Sequence, residues 1–217
     1  MKKAILFDLD GTLTESGEGI IKSVQYALEK MGRPEQEPEK LRVFIGPPLI
    51  TQFMKYAGFT REEAETAVKY YRERYSTVGL FENRPYPGIP EMLRILHAGG
   101  YRTAVASSKP EKFVRQILDY FAMTDLFDEI VGATMDEKRT EKKDVVLESL
   151  RRLDMLEARD QVLMVGDKEH DVFGAREEGV ACIAVAYGYG TMEELMATQP
   201  FRIVSKVEEL QQALLEF

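Results

Sequence analysis

The chain has one cysteine, few prolines, a shortage of positive charge and no apolar run long enough to span a membrane. A lone Cys182 excludes an intrachain disulfide framework and points to a reducing, cytoplasmic setting. It sits in the apolar run 180–186 and reads as a small buried hydrophobe. At the N-terminus two lysines precede an apolar stretch that Asp8 and Asp10 interrupt at once, so neither a signal peptide nor a membrane anchor is expected. With 37 acidic against 29 basic residues the net charge is −8, which argues against a nucleic-acid polymer as the main partner. There is no internal repeat and no low-complexity segment. The 217 residues, 44% hydrophobic and 30% charged, suffice for one α/β domain or a core with a smaller insert, without staples.

Short apolar runs at Ala4–Phe7, 103–106, 130–131, 162–165 and 181–186 each adjoin glycine, aspartate or serine and read as buried parallel strands. Stretches with helical spacing, such as 110–120 and 143–153, lie between them, which implies βαβ units with right-handed crossovers. The fold class expected is therefore α/β, a parallel-sheet, Rossmann-like core. From 17 to 82 the rhythm breaks. No strand run occurs there, while 19–31, 48–57 and 61–75 carry helical spacing, the last preceded by Thr60 as N-cap. A helical insert over 17–82, in a core of 1–16 and 83–217, accounts for this. Its exit, 84–90, has three prolines and a glycine and forms a stiff connector before a helix over 91–98. The stretch 207–215 closes the chain as an amphipathic helix that packs.

Chemistry concentrates at strand ends, where ligands bind in open α/β sheets. The first strand runs into Asp8-Leu9-Asp10-Gly11-Thr12. Two aspartates one residue apart in an apolar run are costly to bury unless they are paired or bind a cation. The segment resembles the first motif of the haloacid dehalogenase superfamily of aspartate-nucleophile hydrolases. The resemblance implies that Asp8 attacks phosphorus and becomes an aspartyl-phosphate. Asp10 would protonate the leaving alcohol, activate water and lend its carbonyl to a metal shell, with Gly11 and Thr12 at the substrate. A carboxylate attacks a phosphate dianion only if a cation cancels their repulsion, and an oxygen-rich site suits Mg2+.

Three further segments fit the same family in order. Ser107, at the end of the second strand run, is a hydroxyl able to hold phosphate oxygens, and the family's second motif assigns it that role. Ser108 and Lys109 follow where they could face the substrate. Phosphoryl transfer needs a fixed positive charge on the nonbridging oxygens, which in Arg139-Thr140-Glu141-Lys142-Lys143-Asp144 falls to Lys142 or Lys143. The family's commoner motif has lysine followed by proline. Lys142 is favoured here by resemblance to the branch with a longer loop, and Lys143 is the fallback. In Gly166-Asp167-Lys168-Glu169-His170-Asp171 two carboxylates four apart would share a helix face and converge on one cation. The resemblance makes Asp167 a metal ligand and Asp171 a water-mediated or more distant one that orients Lys142. His170 between them is expected to point outward, with no role.

The insert falls where the superfamily's helical-cap branch carries its lid. In it, Phe44-Ile45-Gly46-Pro47-Pro48-Leu49 is the expected substrate loop, with Gly46 at its turn and Arg42 nearby to meet an acidic group. The phrase resembles phosphoglycolate phosphatases and nucleotidase-like relatives. The function implied is Mg2+-dependent hydrolysis of small phosphomonoesters, phosphoglycolate first and nucleoside 5'-monophosphates second, by a monomer or homodimer. A β-phosphoglucomutase-like phosphomutase uses the same aspartates. A dehalogenase has no need of Asp10, a phosphonatase would want a Schiff-base lysine such as Lys22 or Lys55, and a silent binding module would not need the full set of aspartates.

Overall fold

The computed structural model describes residues 3–135 and 139–217. The chain divides into two compact units, Met1–Glu15 with Pro85–Phe217 and Ser16–Arg84.

The first unit is built on six parallel strands, β1 (Ala4–Phe7), β2 (Arg102–Pro110), β3 (Glu129–Ala133), β4 (Val162–Gly166), β5 (Ala181–Val185) and β6 (Arg202–Val204), in the order β3-β2-β1-β4-β5-β6. β1 is the centre of the sheet. All four of its residues are fully buried, because helices cover both faces, and this is why its sequence is continuously apolar rather than alternating. Ala4 and Leu6 join a cluster with Ala104, Ala106, Val162 and Met164, covered by α6 (Lys142–Arg152) through Val145, Val146 and Leu150 and by α7 (Glu169–Glu177) through Val172 and Ala175. Ile5 and Phe7 point the other way, where Phe7 meets Phe127 edge-on at 6.4 Å. Strand order reverses between β2 on one side of β1 and β4 on the other, the crevice in which such sheets bind ligands. β6 and the helix α8 (Met192–Ala197) lie outside the sequence reading. With three and six residues, both are too short to carry a period.

The second unit is helical: α1 (Gly17–Lys30), a 3-10 helix Pro38–Phe44, α2 (Leu49–Ala57), α3 (Arg61–Arg74) and a π-helical turn Tyr75–Gly79. Thr60 caps α3 in both directions: its hydroxyl accepts the Glu63 N–H and its own N–H donates to the Glu63 carboxylate at 2.8 Å. Phe44, Phe53 and Tyr75 are buried, with Phe44 and Phe53 ring centroids 4.9 Å apart. Glu82 ties the end of this unit to its start. It receives Arg74 through two hydrogen bonds of 2.7 and 3.0 Å, and Lys22 of α1 at 3.0 Å. No described helix is long and apolar enough to cross a membrane.

The Arg74 hydrogen bonds outweigh burial and hold the Glu82 carboxyl below its ordinary pKa. A depressed carboxylate adds stability above its unfolded pKa and loses it as pH falls through the folded value. Glu82→Gln is therefore expected to lower stability by about 1–2 kcal/mol near pH 7, in urea unfolding. That deficit should shrink as the pH is lowered through the carboxylate range, and a deficit independent of pH would refute the ion-pair account.

Candidate active site

The chain leaves β1 at Asp8, whose N–H donates to Val165 O at 2.9 Å and so carries the β1–β4 pairing one residue further. It then turns tightly. Leu9 O accepts the N–H groups of Thr12, Leu13 and Thr14, and Gly11 N–H donates to Thr14 O at 2.8 Å. Gly11 has φ +83°, and a Cβ there would fall 2.1 Å from Asp167 Oδ2, so conformation and space both demand glycine. The amides of Gly11 and Thr12 are thus engaged within the turn. Thr12 is fully buried, with its hydroxyl toward Asp167 at 3.4 Å.

Lys142 opens α6, and its ammonium is buried between three oxygens. It lies 2.8 Å from Asp8 Oδ1 and 2.8 Å from Asp171 Oδ1, and donates to Ala106 O at 2.9 Å. Lys143 points instead to surface glutamates, Glu141 and Glu177. Asp171 fixes the turn after β4 with its other oxygen, which accepts the N–H groups of Asp167 at 3.1 Å and Lys168 at 3.0 Å. α7 starts only at Glu169, so Asp167 belongs to the strand end and does not share a helix face with Asp171. The amide-to-carboxylate bond, not the helical spacing, brings the two together. Ser107 is buried near the end of β2, where the pairing with β3 slips, and its Oγ accepts the Lys109 N–H at 3.3 Å. Lys109 donates from its ammonium to Asp10 Oδ1 at 2.7 Å. Ser108 is half-buried beside them.

The structure thus gathers Asp8, Asp10, Gly11, Thr12, Ser107, Ser108, Lys109, Lys142, Asp167 and Asp171 at the ends of β1, β2 and β4. Arg42 and Gly46 lie in the helical unit, where Arg42 pairs with Glu39 at 3.4 Å and Gly46 has φ +103°. His170 does not point outward. Its side chain is half-buried, with Nε2 facing Asp171 Oδ1 at 3.7 Å from the neighbouring position in the first turn of α7.

The loop after β5 was silent in the motif reading. Tyr189 N–H donates to Asp167 Oδ2 at 2.7 Å, and the Tyr187 hydroxyl donates to Thr12 O at 3.0 Å. A Cβ on Gly188 would meet both Asp167 Cβ and Gly11 O at 2.4 Å, so the loop fits against the first turn only as glycine. The available signal was Gly188-x-Gly190 directly after a strand.

Four carboxylates, Asp8, Asp10, Asp167 and Asp171, are buried against two buried ammonium groups, Lys109 and Lys142. Ionised together they leave two uncompensated negative charges, which a divalent cation would balance. Burial, then Asp171 and Asp8, push the Asp167 carboxyl well above its ordinary pKa, and burial raises Asp8 despite Lys142. Asp171 is lowered, because Lys142 and His170 outweigh its burial. For Lys142, too, burial is outweighed, by Asp171 and Asp8, and its pKa is raised.

A strand-end aspartate clamped by a buried lysine thus stands where strand order reverses in a doubly wound parallel sheet. The family model described as haloacid dehalogenase-like hydrolase matches residues 5–185, and the chain belongs to that family. It is 45% identical over 210 residues to a 5'-nucleotidase of Pseudomonas aeruginosa, covering 97% of this chain and 94% of that protein. It is 37% identical over 212 residues to the tyrosine-protein kinase PtkA of Mycobacterium tuberculosis, covering 97% and 72%. A phosphoglycolate phosphatase of Pseudomonas savastanoi is 30% identical over 218 residues, covering 97% and 79%. Among solved structures, a predicted phosphatase from Clostridium acetobutylicum superposes with a TM-score of 0.96 at 42% identity over 100% of both chains. The chain is a phosphatase of this family, a phosphoric monoester hydrolase.

The pKa directions of Asp8 and Asp171 predict opposite effects of the same isosteric change. In metal-free protein at pH 7, Asp8→Asn removes a charge that burial disfavours and raises the unfolding midpoint. Asp171→Asn removes a carboxylate whose charge Lys142 favours and that also accepts the Asp167 and Lys168 N–H groups, and lowers stability by about 3 kcal/mol. Thermal or urea unfolding in a chelator checks both signs, and equal shifts would contradict this electrostatic assignment.

Proposed function

We propose that the protein hydrolyses small phosphomonoesters in two steps through an aspartyl-phosphate on Asp8, with Mg2+ as cofactor. The observation that carries the reading is the buried Asp8 carboxylate held at 2.8 Å by Lys142 in a cluster with two surplus negative charges. Asp8, Asp167 and the carbonyl of Asp10 are the groups to hold Mg2+, with Asp171 behind them. The bound ion supplies positive charge that lets a carboxylate approach a phosphate dianion.

In the first step an Asp8 oxygen attacks phosphorus while the bond to the leaving alcohol breaks. The Asp10 carboxyl delivers a proton to that alcohol. In the second, the Asp10 carboxylate takes a proton from water, which attacks phosphorus and returns Asp8. Lys142 and Ser107 hold nonbridging oxygens, and the Lys142 charge is already in place before substrate arrives, so little reorganisation is required. Lys109, at Asp10, is positioned to shift to an incoming phosphate with Ser108 beside it. Gly11 and Thr12, whose amides are engaged, shape the turn. Arg42 and Gly46 belong to the helical unit, the proposed lid, where Arg42 would meet an acidic substrate group.

For the substrate, similarity to the Pseudomonas aeruginosa 5'-nucleotidase favours nucleoside 5'-monophosphates, and the phosphoglycolate phosphatases support phosphoglycolate as a second reading. The site described carries the phosphate end alone, which both share.

Purified protein should release phosphate from p-nitrophenyl phosphate only with Mg2+. Asp8→Asn should abolish this, and Lys142→Met should lower kcat by about 100-fold or more. A ranking of nucleoside monophosphates and phosphoglycolate by kcat/KM then assigns the substrate class. Undiminished turnover by Asp8→Asn would sink the mechanism.

A further inference from the structure

His170 gives the nucleophile's surroundings a donor that the phosphatase reading does not use. Carboxylate oxygens of Asp8 and Asp171 and a ring nitrogen of His170 all lie within 4.8 Å of one another, with both carboxylates buried and the imidazole half-buried. The 3.7 Å from His170 Nε2 to Asp171 Oδ1 is too long for a hydrogen bond, so the nitrogen and the carboxylate face one another across a gap. Mg2+ prefers oxygen donors, whereas one imidazole with two carboxylates, leaving a fourth position for water, suits Zn2+ and its neighbours in the late transition series.

We propose that Asp8, His170 and Asp171 form a binding site for Zn2+ or a similar late transition ion, and that its occupation inhibits the enzyme by sequestering Asp8. The inhibitory half rests on Asp8 being the nucleophile, whereas the binding half does not. The ligand set shares Asp8 with the proposed Mg2+ site and replaces the Asp167 carboxylate and Asp10 carbonyl by the Asp171 carboxylate and an imidazole. Lys142 opposes it. Its ammonium stands 2.8 Å from Asp8 Oδ1 and from Asp171 Oδ1, so an ion entering among these oxygens must displace a positive charge. Binding is thereby held below that of a site without the lysine, and removing the lysine should strengthen it. The chain has two histidines, and the other, His97, offers a clean contrast, exposed near the end of α4 (Ile89–Ala98).

Proton NMR of the metal-free protein follows both imidazole Cε1–H signals during Zn2+ titration, with His170→Asn assigning them. The His170 signal should shift or broaden at one equivalent while that of His97 stays. By calorimetry, Zn2+ affinity should fall roughly tenfold or more in His170→Asn and rise in Lys142→Met. In assays at saturating Mg2+, the half-inhibitory Zn2+ concentration should rise by about the same factor in His170→Asn. Wild-type Zn2+ affinity in His170→Asn, an unmoved His170 signal, or weaker binding in Lys142→Met would each overturn the site. Intact binding without inhibition would overturn the inhibitory half. Absence of turnover in every assay would strike the phosphatase reading alone, because NMR and calorimetry decide the metal site without it.

Discussion

The Lys142 ammonium, set between Asp8 and Asp171, makes the arrangement of the strand ends possible. Carboxylates from β1 and α7 come within reach of one cation, and without it their burial would face desolvation and mutual repulsion together. The lysine's third contact, to Ala106 O, ties the same ammonium to β2. One side chain thus links Asp8, the acidic turn after β4 and the strand that carries Ser107. Lys142 and Lys109 leave surplus negative charge uncompensated, and on that electrostatic frustration rest both the proposed cation site and the proposed phosphoryl transfer.

Around this centre the sheet acts as a rigid frame. The buried, two-faced β1 delivers Asp8 to the point where strand order reverses, and the loops after β4 and β5 close on it through backbone contacts that only glycine allows. Asp167 is held from two sides, by the Tyr189 amide and the Thr12 hydroxyl, so its carboxylate is oriented before any ligand arrives. The helical unit has an independent basis for its stability, with its own aromatic core and the Arg74–Glu82–Lys22 network. In the proposed reaction the phosphate falls to the strand-end cluster.

Much of this was legible in the sequence. Five of the six strands announced themselves as apolar runs beside glycine, serine or aspartate, and the four ordered motifs fell on residues that the fold gathers at the strand ends. The failures have physical causes. Asp167 and Asp171 have helical spacing, but the helix begins after Asp167, and a carboxylate accepting its amide does the work that the period suggested. His170 was placed outward because a residue flanked by carboxylates on a helix start has no period of its own. β6 and α8 are too short to show one.

The sequence alone determined the α/β class and the order and type of the residues at the strand ends, since burial on both faces leaves a pattern in residue identity. Tertiary structure decided which of two adjacent lysines faces inward, that Asp10 is met by Lys109, that the loop after β5 grips Asp167, and that His170 stands beside Asp8 and Asp171. These are contacts between segments far apart in the chain, 99 residues for Asp10 and Lys109. No local pattern encodes which atoms meet, because their approach is set by the packing of strands and helices that lie between them.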